Sequence, residues 1–203
     1  MALLTYALCT PAQLKSYLGI PTATTQDDAK FELFINAATD AIENFCDRKL
    51  VSRGTLTELQ HGRRSNIIIT REFPIISIAE VRQDYNGIFT DAATLIDPIE
   101  YQIADTSTSI CLLKSHFASG YNNVQVKYDA GYVVIPSDLV LACIWYVEWI
   151  HLARNRQDMG RTNVSKGDES YTVDGGMPAK LALILTSYKR CDFPLISSPV
   201  SNV

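Results

Sequence analysis

Apolar residues recur at helical spacing in two widely separated parts of the chain, and shorter alternating runs lie between them. The first helical part opens with Thr10-Pro-Ala-Gln-Leu-Lys-Ser-Tyr-Leu-Gly19. Thr10 suits an N-cap, Pro11 the first helical position and Gln13 the closing member of a capping box, and Gly19 supplies the stop. Leu14, Tyr17 and Leu18 then share one face. Residues 21–25 read as a turn, and a second helix begins near Gln26 or Asp27, where early acidic side chains suit the positive end of the helix dipole. Phe31, Phe34, Ile35, Ala38, Ile42 and Phe45 follow the helical repeat. A second row, Leu33, Ala37 and Ala41, admits a close neighbour. One large and one small apolar face predict contact with more than one partner element.

From residue 55 to 132 the period changes. Short β-prone runs occupy 55–60, 66–70, 75–83, 101–104, 110–113 and 123–128, separated by turn residues. Asn86-Gly87 is a tight-turn signal without a clean strand after it. Val124, Val126 and Tyr128 alternate with Gln125 and Lys127, the pattern of a half-buried strand. Ser137 or Asp138 can cap a third helix whose apolar residues, including Trp145, Tyr146 and Trp149, cover nearly its whole circumference. Such a helix belongs at the centre of a bundle or between subunits. It ends in polar, basic Arg154-Asn-Arg156-Gln-Asp-Met-Gly160. Residues 161–176 read as a mobile loop with a short strand at 170–173. Pro178 opens a last helix carrying Leu181, Ile184 and Leu185 on one stripe, and 191–203 has no helical period. The pattern predicts an α+β fold: a four-helix bundle-like core, with helices at about 10–18, 27–48, 137–159 and 178–189, and an antiparallel β module inserted at 55–132. Together these make a single domain over 1–190, followed by an extended C-terminal tail at 191–203.

An apolar content of 47% with 20% charged residues is ordinary for a globular protein, and a chain of 203 residues buries a core without disulfides. The net charge of −4 argues against a general nucleic-acid coat. Five widely spaced cysteines, Cys9, Cys46, Cys111, Cys143 and Cys191, are an odd number and read as reduced thiols. The first nine residues are apolar but carry no basic residue, so a packed N-terminal arm is expected rather than a secretory signal. The apolar stretch 139–153 is shorter than the ~20 residues of a membrane span and contains Glu148 and His151.

Candidate chemistry is sparse. No Gly-rich phosphate loop, nucleophile elbow or paired Cys/His metal spacing occurs. His61 is expected in a turn, His116 at a strand end five residues after Cys111, and His151 in the helical core with one hydrogen bond. Asp27/Asp28 and Asp168/Glu169 read as solvated caps, and Asp129 as an acceptor fixing the turn into the third helix. Catalytic, metal-binding and cofactor-binding residues are therefore expected to be none, and the protein is not expected to be an enzyme. Basic residues cluster at Arg63, Arg64 and Arg71, and again at Arg154, Arg156, Arg161 and Lys166. The second group either complements a helix C-terminus or faces DNA phosphates or an acidic partner. Phe34, Ile42, Trp145 and Trp149 serve the core or a subunit interface.

Several stretches recur together in a familiar order. They are residues 10–19, Ala37-Ala38-x-x-Ala41-Ile42-Glu43-x-Phe45, Glu72-Phe-Pro-Ile-Ile-Ser-Ile78 with Glu80-Val81 just after, Val126-Lys-Tyr-Asp-Ala-Gly-Tyr132 with Ile135-Pro-Ser-Asp-Leu139, and Gly175-Gly-Met-Pro178 before a helix ending in Tyr188-Lys-Arg190. Over residues 8–190 this order resembles the head–tail connector (head-completion adaptor) proteins of tailed phages. The resemblance implies a structural virion protein, made in the host cytoplasm and located at the head–tail interface. It implies a homo-oligomeric ring, commonly of twelve copies, that binds the portal protein, extends the DNA channel and receives a stopper or tail-completion protein. DNA would pass without sequence-specific contact, and no membrane or cofactor is implied. The family pattern directs the C-terminal segment toward the portal, here through Phe193, Pro194, Leu195 and Ile196. The long β insertion departs from the shortest members. The alternatives are another virion part such as a stopper or tail-completion protein, a small metal or thiol enzyme, and a DNA-binding regulator.

Overall fold

The computed structural model describes residues 2–104, 107–155, 163–166, 169–172 and 177–190, with the backbone alone described from 153 to 172. Helix α1 is Pro11–Leu18. Its capping box forms as the sequence predicts: the Gln13 N–H donates to the Thr10 hydroxyl at 3.2 Å, and the Thr10 N–H donates to Gln13 Oε1 at 2.8 Å. Gly19 ends it in the left-handed conformation. Helix α2, Asp28–Cys46, starts without a side-chain cap. Asp28 instead pairs with Lys15, whose buried ammonium also donates to the Thr24 carbonyl at 2.6 Å, so one cation ties α1, the turn and α2 together. The expected N-terminal arm packs on α2, with Leu8 and Cys9 buried and the Leu8 N–H donating to Thr39 Oγ1 at 3.1 Å.

The predicted strands form at the predicted places. They are β1 (Thr55–Gly62), β2 (Ile67–Ile69), β3 (Ile75–Gln83), β4 (Tyr101–Ile103), β5 (Ser109–Leu112) and β6 (Gly120–Ala130). They make two antiparallel three-stranded sheets, ordered β1-β6-β3 and β2-β5-β4. Val124, Val126 and Tyr128 of β6 are buried, as their alternation predicts, and join Ile68, Val81, Ile110 and Phe117 in a core of the β module's own. Gly62 permits a close approach, since a Cβ there would lie 1.8 Å from the Ala118 carbonyl oxygen. After β3 the chain turns at Asn86-Gly87 and runs through two single 3₁₀ turns, Ala92–Thr94 and Pro98–Glu100, rather than a strand.

Helix α3 is Ser137–Asn155. The segment expected to be a mobile loop holds a hairpin, β7 (Asn163–Lys166) with β8 (Glu169–Thr172), paired from Asn163↔Thr172 to Lys166↔Glu169. Two short β-prone runs that satisfy each other's backbone groups account for it. Helix α4 is Ala179–Thr186.

Leu14, Ile35, Ala38, Ile42, Leu139, Cys143, Val147, Leu181 and Leu185 form a second core shared by all four helices. The architecture is α+β, but the expected four-helix bundle does not form. Two helices of 19 residues pack on each other, while α1 and α4 have only 8 residues each. An eight-residue helix is ~12 Å long, so it closes one part of the α2–α3 pair and supplies no full bundle seam.

The two cores meet where the chain enters and leaves the β module. The Tyr132 N–H donates to the Leu50 carbonyl at 2.7 Å, and the Ser52 N–H donates to the Tyr132 carbonyl at 3.2 Å. Gly131 stands beside this crossing at φ +105°, and a Cβ on it would lie 2.7 Å from the Ser52 nitrogen. This is the physical role of the Asp-Ala-Gly-Tyr stretch. Asp129 does not fix the turn as expected. It lies in β6, where its Oδ2 accepts from Ser77 Oγ at 3.2 Å.

Candidate functional site

Two buried charges hold the junction. Glu43, on the last turns of α2, is buried, and its carboxylate accepts from the Leu50 N–H at 3.1 Å, Arg53 Nη2 at 2.6 Å and Lys49 Nζ at 3.2 Å. Arg53 in turn stacks 3.4 Å from the Tyr6 ring centre. Arg48 is buried two residues past α2. Its Nε donates to the Tyr188 carbonyl at 2.7 Å, its Nη1 to the Phe73 carbonyl, and its guanidinium lies over the Phe73 ring. Three of the stretches singled out in the sequence thus converge: Phe73-Pro74 across a cis peptide bond, Gly131-Tyr132, whose glycine N–H donates to the Pro74 carbonyl at 2.9 Å, and Tyr188. Tyr188 also donates to Asp138 Oδ2 at 2.5 Å in the first turn of α3, and burial pushes its phenol pKa up. Arg48 escaped the sequence reading because nothing local marks an arginine as buried. The one available signal is its place between an apolar helix end and Leu50.

The four residues expected in the core or at an interface divide. Ile42 is fully buried in the helical core. Phe34 is half-buried and meets His151 edge-on at 6.4 Å. Trp145 is half-buried, its Nε1 donating to Tyr17 Oη at 3.2 Å, and Trp149 stacks on Tyr146 with centroids 5.6 Å apart. Tyr17 itself, Leu18 next to it in α1, Leu33 next to Phe34 in α2, and Leu152 one turn past Trp149 in α3 are exposed. The α3 face is therefore only partly covered, by residues from α1 and α2, and the row of Leu33 and Ala37 faces solvent rather than a neighbouring element. His151 is exposed, not a core histidine. His61 lies at the end of β1 rather than in a turn, stacked on Tyr121 at 4.5 Å, with Nδ1 accepting from the Asn122 N–H at 2.9 Å.

A groove of about 470 Å³ lies between β2 and the end of α4. Ile67 and Ile69 form its apolar wall, each 45% exposed on either side of buried Ile68. Arg63, Arg71, Lys189 and Arg190 line it, and no acidic residue does. Asp47 stands behind, 3.5 Å from Arg71 and 3.6 Å from Arg190. Of the first basic cluster read from the sequence, Arg63 and Arg71 line the groove and Arg64 does not, and the two are joined there by two cations from the far end of the chain. Of the other basic cluster, Arg154 lies in the last turn of α3 and Lys166 ends β7, with only their backbones described, and Arg156 and Arg161 lie outside the described residues, as do Phe193, Pro194, Leu195 and Ile196.

Among the described residues no group of three His, Cys, Asp or Glu side chains could hold a metal ion. Burial pushes the Cys46 thiol up to about 11, and the hydrogen bond with the Cys9 thiol, together with burial, raises Cys143, so neither is an activated nucleophile. Among the described residues no helix is long and apolar enough to cross a membrane. The described residues offer exposed surfaces and a junction held by buried charges.

The family model described as head completion protein matches residues 7–191. The chain belongs to the head completion protein family. Family membership makes it a structural part of the head–tail connection of a phage-like particle. Its fold is similar to a chain in the neck of an empty gene transfer agent particle computed with C6 symmetry, at TM-score 0.59 and 16% identity over 95% of each chain. It is similar to one in the neck of the native particle computed with C12 symmetry, at TM-score 0.58 and 14% identity over 95% of this chain and 94% of that one. A chain in the virion of the native gene transfer agent particle matches at TM-score 0.59 and 16% identity, over 95% and 94%. No curated protein matches the chain. The family match covers the stretches that carry the resemblance, and three of them meet at the junction around Arg48.

Proposed function

We propose that this head completion protein is a head–tail connector that assembles as a ring beneath the portal, extends the DNA channel and offers a platform to a stopper or tail-completion protein. The observation that carries the reading is a family match and a neck-like fold that both run through nearly the whole chain. The ring follows the precedent of the two neck structures computed with C6 and C12 symmetry, and twelve copies is the expected number in the virion. The partly covered α3 face, with Trp145, Trp149 and Phe34 among exposed Tyr17, Leu33 and Leu152, suits a contact between copies. Half-buried aromatic residues ringed by exposed apolar ones are the composition of an interface centre. Ile42 takes no part, being fully inside the subunit.

Residues 191–203, through Phe193, Pro194, Leu195 and Ile196, are assigned to portal docking. Arg154, Arg156, Arg161 and Lys166 are assigned to the channel or to an acidic partner surface, where they meet DNA through phosphates without reading bases. The test is co-sedimentation with the portal ring of the same genome, imaged by negative-stain electron microscopy. A collar of density at one end of the portal is expected, lost on deleting 191–203. No binding at micromolar concentration would move the protein to a stopper or tail-completion role. A collar that survives the deletion would remove the docking role of the segment.

A further inference from the structure

We infer that the groove between β2 and the end of α4 holds the chain's own residues 192–196 while the subunit is free of partners. This goes beyond the assembly reading and does not depend on it. The groove lies where that segment starts: Ser187, Lys189 and Arg190 are part of its wall, and Cys191 follows directly. The chemistry is complementary. The segment Asp192-Phe-Pro-Leu-Ile196 has one acidic residue ahead of three large apolar ones, and Asp192 is the only charged side chain in 191–203. The groove presents Ile67 and Ile69 as an apolar wall and four cations along its lining, against two carboxylates beside it: Asp47, near Arg71 and Arg190, and Glu58, which accepts from the Arg71 N–H at 3.1 Å.

Size and tethering point the same way. A volume of about 470 Å³ takes a few side chains, not the thirteen residues of 191–203. Attachment at Arg190 makes docking intramolecular, at an effective concentration in the millimolar range, so weak contacts suffice. Pro194 restricts Phe193 to extended backbone, which lowers the entropy lost on docking. A segment held in this way must be released before any other surface can take it, and binding elsewhere is weakened by the docked fraction.

The test uses the full chain with a photoactivatable benzophenone side chain in place of Ser197, which spares the apolar anchors. Crosslinked peptides are read by mass spectrometry at two protein concentrations tenfold apart. The expected result is crosslinking within one chain to residues 67–73 or 187–190, at a yield unchanged by dilution. Reversing two exposed charges together, Arg63→Glu and Arg71→Glu, should lower that yield roughly threefold or more. The pair Ile67→Ser and Ile69→Ser should lower it independently, with circular dichroism unchanged in both variants. Crosslinks scattered over the surface, or a yield insensitive to both pairs, would overturn the inference. Crosslinks between chains that vanish on dilution would also overturn it, and would give the groove to a second copy. None of these readouts involves a portal, so failure here leaves the assembly reading standing.

Discussion

The guanidinium of Arg48 lies 3.6 Å above the ring centre of Phe73. The same side chain donates to the Tyr188 carbonyl, 140 residues away in sequence. One cation therefore joins the end of α2, the β module and the end of α4. Removing it by Arg48→Met leaves the Tyr188 and Phe73 carbonyls without that donor in a buried place. The expected cost is about 2–4 kcal/mol, measured by urea denaturation. Arg48→Lys should recover less than half, because an ammonium cannot bridge two carbonyls and lie flat on the ring together.

Glu43→Gln tests the second buried charge. The amide can still accept from the Leu50 N–H, but Arg53 and Lys49 lose their counter-charge. A loss of about 2–4 kcal/mol is expected. In a double-mutant cycle, Glu43→Gln and Arg53→Met should couple by more than ~0.5 kcal/mol, whereas additive costs would mean the ion pair contributes nothing.

Two glycines separate strain from crowding. Both Gly131 and Gly87 have positive φ, but a Cβ on Gly87 meets nothing within 4 Å, whereas one on Gly131 meets the Ser52 nitrogen at 2.7 Å. Gly87→Ala should cost about 1 kcal/mol and Gly131→Ala clearly more, as measured by thermal unfolding. Equal costs would show that the backbone at 50–52 yields freely.

Acid stability should depend on Glu80. Arg82 and Lys127 bond its carboxylate and hold the pKa at about 2, below the ordinary 4.5. A carboxyl with a depressed folded pKa stabilises the fold above its unfolded value and loses that contribution as pH falls through the folded one. The stability gap between wild type and Glu80→Gln should therefore be full above pH 4.5 and close toward pH 2. Glu72 acts in the opposite sense, because burial raises its pKa and acid relieves the cost of its charge. Titrating unfolding free energy against pH for Glu80→Gln and Glu72→Gln checks the two signs.

The proposed ring contact has its own signature. Leu33 is 46% exposed on α2. Leu33→Glu should change the stability of the isolated subunit by less than ~0.5 kcal/mol, yet prevent ring formation on the portal as seen by electron microscopy. A normal collar would exclude this face from the interface.

Much of the fold was legible locally. Thr10 and Gln13 specify a capping box within four residues of chain, and the alternation of Val124, Val126 and Tyr128 specifies which face of β6 is buried. The apolar coverage of α3 was legible too, but it predicted more burial than Trp145 and Trp149 have, since apolar character does not say whether the covering surface comes from the same chain. The α4 stripe was right, yet a period alone does not fix how far a helix extends, and α4 ends at Thr186, too short for a bundle.

The sequence by itself determined most of the elements and their order, and the absence of any recognised catalytic motif, because caps, periods and turn residues act over a few positions. Only the tertiary structure decided that Arg48 and Glu43 are buried. It also decided that Gly131 must lack a side chain, and that Arg63 and Arg71 share a groove with Lys189 and Arg190. Charge burial, steric exclusion and electrostatic grouping all depend on what lies opposite in space. For Arg48, Gly131 and the groove those neighbours are tens to more than a hundred residues away along the chain, whereas the bonding partners of Glu43 lie 6 to 10 residues on, past the end of its helix.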